Sequence, residues 1–274
     1  MSFSINSNTS AQQSNMYATQ NSLNQSKTLA GLSSGSSLTQ AANDAASLAI
    51  SEKLLALVSG SGQAIQNSNE TIGLIQTADG ALAGIEDNTQ RIRVLTLQAS
   101  NGTMSDSDRE SIQKEIDALS SSSDDIASST TFNGINLLDG TGGSAGDGTF
   151  VTQNGPNTGD THSVTIADSR SIVGSIDVTT QAGRDAALGT IDSGLKAIEE
   201  NRANLGAAQN SLISSVRNTS ISQVNQASSA SQLRDIDFAL ESANFSRQNI
   251  LAQTGSFAQA QANSRGSNIA GLLG

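Results

Sequence analysis

Between Ala45 and Ala99 the chain reads AASLAISEKLLALVSGSGQAIQNSNETIGLIQTADGALAGIEDNTQRIRVLTLQA. Leu54, Val58, Ile65, Ile72, Ile75, Leu82, Ile85, Ile92 and Leu95 advance through it by 4, 7, 7, 3, 7, 3, 7 and 3 residues. That spacing is one seam of a coiled coil. Unbroken from Ala45 to Ala99, the helix would be roughly 80 Å long at ~1.5 Å per residue. Asn101-Gly102 ends it, because a glycine just past the last periodic residue is a usual helix stop. Ser105 or Asp106 can cap a second helix, with Asp108 favourable near its positive end. Ile112, Ile116, Leu119 and Ile126 give that helix one apolar stripe. So short a turn sets the two helices antiparallel.

The C-terminal half answers this pattern. Leu188, Ile191, Leu195, Ile198, Leu205, Leu212 and Val216 step by 3, 4, 3, 7, 7 and 4. Glu199, Glu200 and Arg202 fall off that seam and read as a solvated face. Leu233, Ile236, Leu240, Ile250, Leu251, Phe257, Ile269 and Leu272 then mark a terminal helix to partner an N-terminal one. Between the helical halves the period changes. Thr149–Val151, Ser163–Ile166 and Ser171–Val178 alternate or run β-branched, and Asn154-Gly155-Pro156-Asn157 is turn chemistry.

The predicted fold is mainly α: a long antiparallel coiled-coil helical bundle, a small β-hairpin region and paired terminal helices. Its domains are discontinuous. Residues 1–43 pair with 233–274, residues 44–139 pack with 180–232 as the bundle, and 140–179 form the hairpin region. The two ends differ from the middle. Lys27 is the only charged side chain from Met1 to Asn43, and Arg265 the only one from Gln248 to Gly274. Such ends bury too little apolar area to order alone, which points to a subunit that orders against copies of itself.

Composition excludes several functions. A net charge of −11 argues against nucleic acid or an anionic membrane as partner. With no cysteine there are no disulfides and no thiolate metal sites. No apolar run is long enough to span a membrane, and MSFSINSNTS has neither the basic nor the apolar region of a cleaved signal. His162, the one histidine, sits in an expected strand beside Thr161 with no nucleophile partner. Asp124-Asp125 are adjacent on a helix and do not face each other, so they read as a solvated acidic face. No catalytic, cofactor-binding or metal site is expected, and the chain is not expected to be an enzyme.

Specific strings carry the reading further. LSSGSSLTQAANDAASLAISEKL (Leu32–Leu54), the stretch from Asn69 to Ile116 and TFNGINLLDG (Thr131–Gly140) resemble the N-terminal region of bacterial flagellins. LGAAQNSLISSVRN (Leu205–Asn218) and RDIDFALESANFSRQNILAQTGSFAQAQAN (Arg234–Asn263) resemble the C-terminal region. The resemblance implies a structural subunit that self-polymerises into the extracellular flagellar filament for swimming motility, exported unfolded by the flagellar type III apparatus. Its implied partners are further copies of itself, an export chaperone, and the filament cap and hook-junction proteins. Only about forty residues separate TFNGINLLDG from the C-terminal bundle helix, which implies a minimal flagellin without a large outer domain.

In flagellins the terminal helices pair as the filament core. By that resemblance Ile5, Leu23, Leu32, Leu240, Ile250, Leu251, Phe257 and Leu272 would pack there, and the small Ala258, Ala260 and Ala262 would let helices approach. QRIRVLTLQ (Gln90–Gln98) with Glu115 resembles the site at which flagellins engage the Toll-like innate immune receptor. Gln90, Arg91, Leu95 and Glu115 match it, while Val94 stands where an acidic residue is common. A second departure is the uncharged setting of LSSG, with Gly31 before it and Ser36, Ser37, Leu38, Ala42 and Asn43 after it. The alternatives are a hook–filament junction protein, which shares these terminal regions, and a secreted coiled-coil adhesin.

Overall fold

The computed structural model describes residues 9–42 and 44–273, and the side chains of all of these except 10, 266 and 269–273. Its elements are α1 (Thr9–Ser34), α2 (Ala45–Ala99), α3 (Asp106–Ser129), β1 (Thr131–Phe132), β2 (Ile135–Asn136), β3 (Thr149–Gln153), β4 (Thr161–Thr165), α4 (Gln181–Arg234) and α5 (Phe238–Leu273). They divide into two compact units, Leu57–Asn225 and Met1–Ala56 with Gln226–Gly274. The fold is mainly helical with two small antiparallel hairpins, as expected.

In the Leu57–Asn225 unit, α2 buries Ser61, Ala64, Ser68, Thr71, Ile75, Ala78, Leu82, Ile85, Thr89, Ile92, Thr96 and Ala99. These positions alternate by three and four without a break, which keeps one stripe facing the same partners. The bulky half of the expected seam is at its centre: Ile75, Leu82, Ile85, Ile92 and Leu95 are at most 1% exposed. Leu54, Val58, Ile65 and Ile72 are only half-buried, because small and hydroxyl side chains take the inner positions below Ile75. Except for Ser61, whose Oγ is buried without a partner, the buried hydroxyls of the stripe return their protons to their own helix, as in Thr89 Oγ1 to Ile85 O (2.7 Å), Thr96 Oγ1 to Ile92 O (2.9 Å) and Ser68 Oγ to Ala64 O (2.8 Å). Self-satisfied hydroxyls of this kind avoid the penalty of a buried orphan donor.

Two helices cover that stripe. Ile198, Leu205 and Leu212 of α4 join Leu74, Ile75, Leu82 and Ile85 in one core, and Ala187 and Ile191 join Ile92, Leu95 and Ala99 in a second. The pairing is antiparallel, as Gln223 Nε2 donating to Val58 O (3.1 Å) and Arg93 Nε to Asp192 Oδ1 (2.9 Å) also show. Leu188, Leu195 and Val216 flank this seam half-buried. On α3, Ile112 and Ile116 are buried, with Leu119 and Ile126 at the edge. Ser105 caps α3 through a reciprocal box with Asp108, and the Ser105 hydroxyl holds the Asp108 carboxyl below its ordinary pKa. Arg109 fastens the α2–α3 turn by donating to Ala99 O (3.1 Å) and Asn101 O (3.2 Å).

The connection between α3 and α4 corrects several expectations. Thr131–Gly140 opens with a tight hairpin, β1–β2, whose Asn133 and Gly134 both take positive φ (52° and 77°), the type I′ turn that Asn-Gly favours. Leu137 and Leu138 then enter the core. Asp139 is buried and accepts from Thr141 N (2.9 Å), Thr141 Oγ1 (2.8 Å) and Asn136 Nδ2 (2.9 Å), bonds that hold its carboxyl below the ordinary range. β3 and β4 pair as anticipated, turning at residues 154–160.

Ser171–Val178 is not a strand. It runs as irregular chain that buries Val173, Ile176 and Val178, with side chains in place of a ladder. Gln113 bridges Ile176 O (2.7 Å) and Val178 N (2.8 Å), Asp124 Oδ1 accepts from Ser171 N (2.7 Å), and Arg184 donates to Val178 O (3.0 Å). Asp124 is therefore an anchor rather than part of a solvated face. Arg202 is likewise not solvated: half-buried, it donates to Asp79 (2.9 Å) and Glu86 (2.5 Å) across to α2. Leu233 closes α4 rather than opening the terminal helix, and Ile236 lies in the break before α5, where Asp237 Oδ1 caps Ala239 N and Leu240 N.

Leu205→Ala should destabilise the Leu57–Asn225 unit by about 2–5 kcal/mol, since it empties a site 1% exposed between α2 and α4. Leu188→Ala, at the edge, should fall well below that. Urea unfolding monitored by circular dichroism would separate the two, and equal losses would contradict this placement of the seam.

Candidate functional site

The terminal helices α1 and α5 lie side by side and antiparallel. Along α1 the positions turned away from solvent are Ala11, Ser14, Ala18, Asn21, Gln25 and Thr28, again spaced by three and four. On α5 they include Glu241, Phe245, Gln248, Gly255, Gln259 and Ala262. The period is that of a coiled coil, but apart from Phe245 the residues named are small or polar. Asn21 Nδ2 donates to Gln248 O (2.9 Å), Gln248 Nε2 to Thr28 Oγ1 (3.1 Å), Gln25 Nε2 to Asn249 Oδ1 and Gln259 Nε2 to Asn15 Oδ1. Gln248 Oε1 is buried with no hydrogen-bond partner. Near the base of the pair Ser36 and Asp235 form a single antiparallel bridge, with Ser37 N donating to Arg234 O (2.7 Å) and Ile236 N to Gly35 O (3.2 Å).

The large apolar side chains of these helices point outward. Met16, Tyr17, Leu23 and Leu29 on α1, and Phe238, Leu240, Ile250, Leu251 and Phe257 on α5, are each more than half exposed, Phe257 at 74%. Among the described side chains of α5 none is buried. This inverts the ordinary amphipathic helix, whose apolar stripe faces its own core. An apolar surface of this kind marks an interaction site.

Of the residues singled out in the sequence, Leu23, Leu240, Ile250, Leu251 and Phe257 share this outer surface, and Leu32 is half-buried beside it. Ile5 and the side chain of Leu272 lie outside the described residues. Ala262 faces α1, whereas Ala258 and Ala260 are exposed. Reading the ends as short of apolar area overlooked the amide ladder. Its trace was present in the sequence as the Asn and Gln of both ends, among them Asn15, Asn21 and Gln25 on α1 and Gln248, Asn249 and Gln259 on α5.

The second candidate surface lies on α2 and α3. Arg91 donates to Glu115 Oε1 through Nη2 (2.6 Å) and Nε (3.1 Å), and both side chains are about half exposed. Gln90 is exposed and donates to Glu86 (3.1 Å). Val94 and Leu97 are exposed on the same helix. Leu95 is 1% exposed, so it supports this surface from the core and does not reach a partner. His162 is half-buried on the inner side of the β3–β4 hairpin opposite Thr152. Among the described residues no group of three or more His, Cys, Asp or Glu could hold a metal ion, and no helix is long and apolar enough to cross a membrane.

Residues 5–142 match the bacterial flagellin N-terminal helical region, and residues 188–273 match the C-terminal helical region. The chain belongs to the bacterial flagellin family. It is 38% identical to the flagellar filament 31.3 kDa core protein of Treponema maltophilum, covering 98% of this chain and 99% of that one. It is also 38% identical to flagellin of Bacillus subtilis, over 94% and 95% of the two chains. The crystal structure of Bacillus cereus flagellin superimposes with a TM-score of 0.51 at 29% identity, covering 56% of this chain and 88% of that one. A putative flagellar hook-associated protein of Vibrio parahaemolyticus shares the fold, with a TM-score of 0.60 at 14% identity over 70% of this chain and all of its own. Flagellins are structural components of the extracellular flagellar filament. This flagellin is a minimal form, since residues 143–187, between the two matched regions, leave no room for a large outer domain.

Replacing Gln25 and Asn249 together by leucine would put an apolar pair into the polar α1–α5 seam of this flagellin. We expect the pairing of the two helices to strengthen by about 1–3 kcal/mol and the helix content of the monomer to rise in circular dichroism. Unchanged or reduced helicity would show that the amides stabilise the pair rather than weaken it.

Proposed function

We propose that this flagellin is a subunit that polymerises with copies of itself into the flagellar filament, through the outer surface of its terminal helices. The observation that carries this reading is the set of nine large apolar side chains exposed on α1 and α5. Each would contribute roughly 1.5–3 kcal/mol if fully covered by neighbouring subunits. A contact in which one surface patch docks on a different patch of the next copy does not close, and so extends as a helix.

Residues 1–43 with 233–274 form the filament core in this reading, 44–139 with 180–232 a helical bundle domain, and 140–179 a hairpin region in place of a large variable domain. The filament serves swimming motility. The subunit leaves the cell unfolded through the flagellar type III apparatus, a route that a chain without cysteines travels free of disulfide locks. An export chaperone, the filament cap and the hook-junction proteins are its further partners.

Seeded elongation tests this directly. Purified full-length chain mixed with short filament seeds should extend them under negative-stain electron microscopy. Ile250→Ser with Phe257→Ser should raise the concentration needed for growth at least ~100-fold, and should leave the melting of the Leu57–Asn225 unit unchanged. Elongation equal to the unaltered chain would overturn the proposal.

A second surface supports a second reading. Gln90, Arg91 and Glu115 form an exposed polar group beside Val94 and Leu97, suited to recognition of the monomer by the Toll-like innate immune receptor. Arg91→Ala should reduce receptor signalling by about tenfold while changing stability by less than ~1 kcal/mol, because the Arg91–Glu115 pair is solvated. Undiminished signalling would remove this function from the α2–α3 face.

A further inference from the structure

The chain contains three Asn-Gly pairs, Asn101-Gly102, Asn133-Gly134 and Asn154-Gly155. An asparagine followed by glycine can attack itself: the glycine nitrogen adds to the side-chain amide carbon, with little steric hindrance because glycine has no Cβ. The structure treats the three differently.

Asn133 sits in the left-handed region at φ 52° inside the β1–β2 hairpin. Closing a five-membered ring there requires rotating the backbone out of that well, which opens the turn. Asn154 donates through Nδ2 to Ser215 Oγ (3.2 Å), its N–H donates to Asp160 O (2.9 Å), and Gly155 is buried against the Asp160 side chain. Asn101 is held through its backbone, its N–H donating to Gln98 O (3.1 Å) and its carbonyl accepting from Met104 N (3.2 Å), but not through its side-chain nitrogen or its glycine. Both it and Gly102 are exposed, a Cβ on Gly102 would meet nothing within 4 Å, and the Gly102 N–H makes no hydrogen bond among the described residues. Asn101 Oδ1 accepts from Thr103 N (3.2 Å), which polarises the carbonyl that would be attacked and favours the negative charge forming on its oxygen.

We propose that Asn101 is a site of spontaneous deamidation and isoaspartate formation. The Gly102 nitrogen bonds to Asn101 Cγ and gives up its proton, and the side-chain nitrogen leaves as ammonia, producing a succinimide. Water then opens the ring at either carbonyl. Opening at Cγ gives isoaspartate's alternative, aspartate with its ordinary backbone. Opening at the main-chain carbonyl gives isoaspartate, in which the former Asn101 carbonyl group becomes a free carboxylate. Arg109 Nη2 already donates to that oxygen at 3.2 Å, so the new charge forms beside a guanidinium instead of in an apolar setting. The α2–α3 turn is thus built to tolerate the product as well as to permit the reaction.

The test is incubation of the folded full-length chain at neutral pH, followed by peptide mapping and enzymatic isoaspartate detection, with a urea-unfolded sample in parallel. Asn101 should convert at least ~10-fold faster than Asn133 and Asn154 in the folded chain, since those two must first open local structure, and the three should converge in urea. Gly102→Ala, which the open space accepts, should slow conversion at Asn101 in both samples. The proposal fails if Asn101 stays unconverted in the folded chain, if Asn133 or Asn154 keeps pace with it, or if Gly102→Ala has no effect.

Discussion

The Leu57–Asn225 unit depends on one stripe of side chains that stays in line along α2. A straight helix drifts from a strict seven-residue repeat, so an unbroken alternation of three and four is a constraint on every position it touches. The stripe satisfies that constraint with two chemistries. From Ile75 to Leu95 it is mostly aliphatic and supplies burial to α3 and α4. From Ser61 to Thr71 it is small and hydroxylic, and β3 approaches closely enough for Thr71 and Thr152 to share a hydrogen bond at 2.7 Å. A leucine at either position would hold the strand away and remove that bond.

The terminal helices use the same period with the opposite chemistry. Hydrogen bonds between amides contribute on the order of 1 kcal/mol net each, because the unpaired groups are well solvated beforehand. Ordering two helices of this length opposes folding by more than four such bonds return. The larger favourable contribution resides in Leu23, Ile250, Leu251, Phe257 and their neighbours, and it is realised only when another molecule covers them. Under the proposed function, the inverted helices link the order of the ends to assembly.

How far this was legible in the sequence follows from what each residue type reveals. Aliphatic heptads disclosed α2, α3 and α4, because the signal and the cause are the same burial. The lower half of the α2 stripe was hidden, since Ser68 and Thr71 look like surface residues until their protons are traced back into the helix, and Ser61 is buried with no partner for its hydroxyl. Ser171–Val178 read as a strand because β-branched residues favour extended chain. It forms no ladder because Gln113, Asp124 and Arg184 reach its backbone first, and long-range side-chain partners leave no periodic trace. Arg202 was misread for the same reason: its partners Asp79 and Glu86 are more than a hundred residues away in the chain.

The ion pairs separate structural from available charge. Arg202 is half-buried and answers two carboxylates on α2, which raise its pKa, so its removal would leave Glu86, the more buried of the two, without its counter-charge. Arg91 and Glu115 face solvent, where water and salt already satisfy each of them. A side chain that the fold does not need can be spent on recognition, and one that it needs cannot. On that criterion the exposed face of α2 around Arg91, rather than the Arg202 clamp beside it, is where a partner of the bundle can bind without competing with folding.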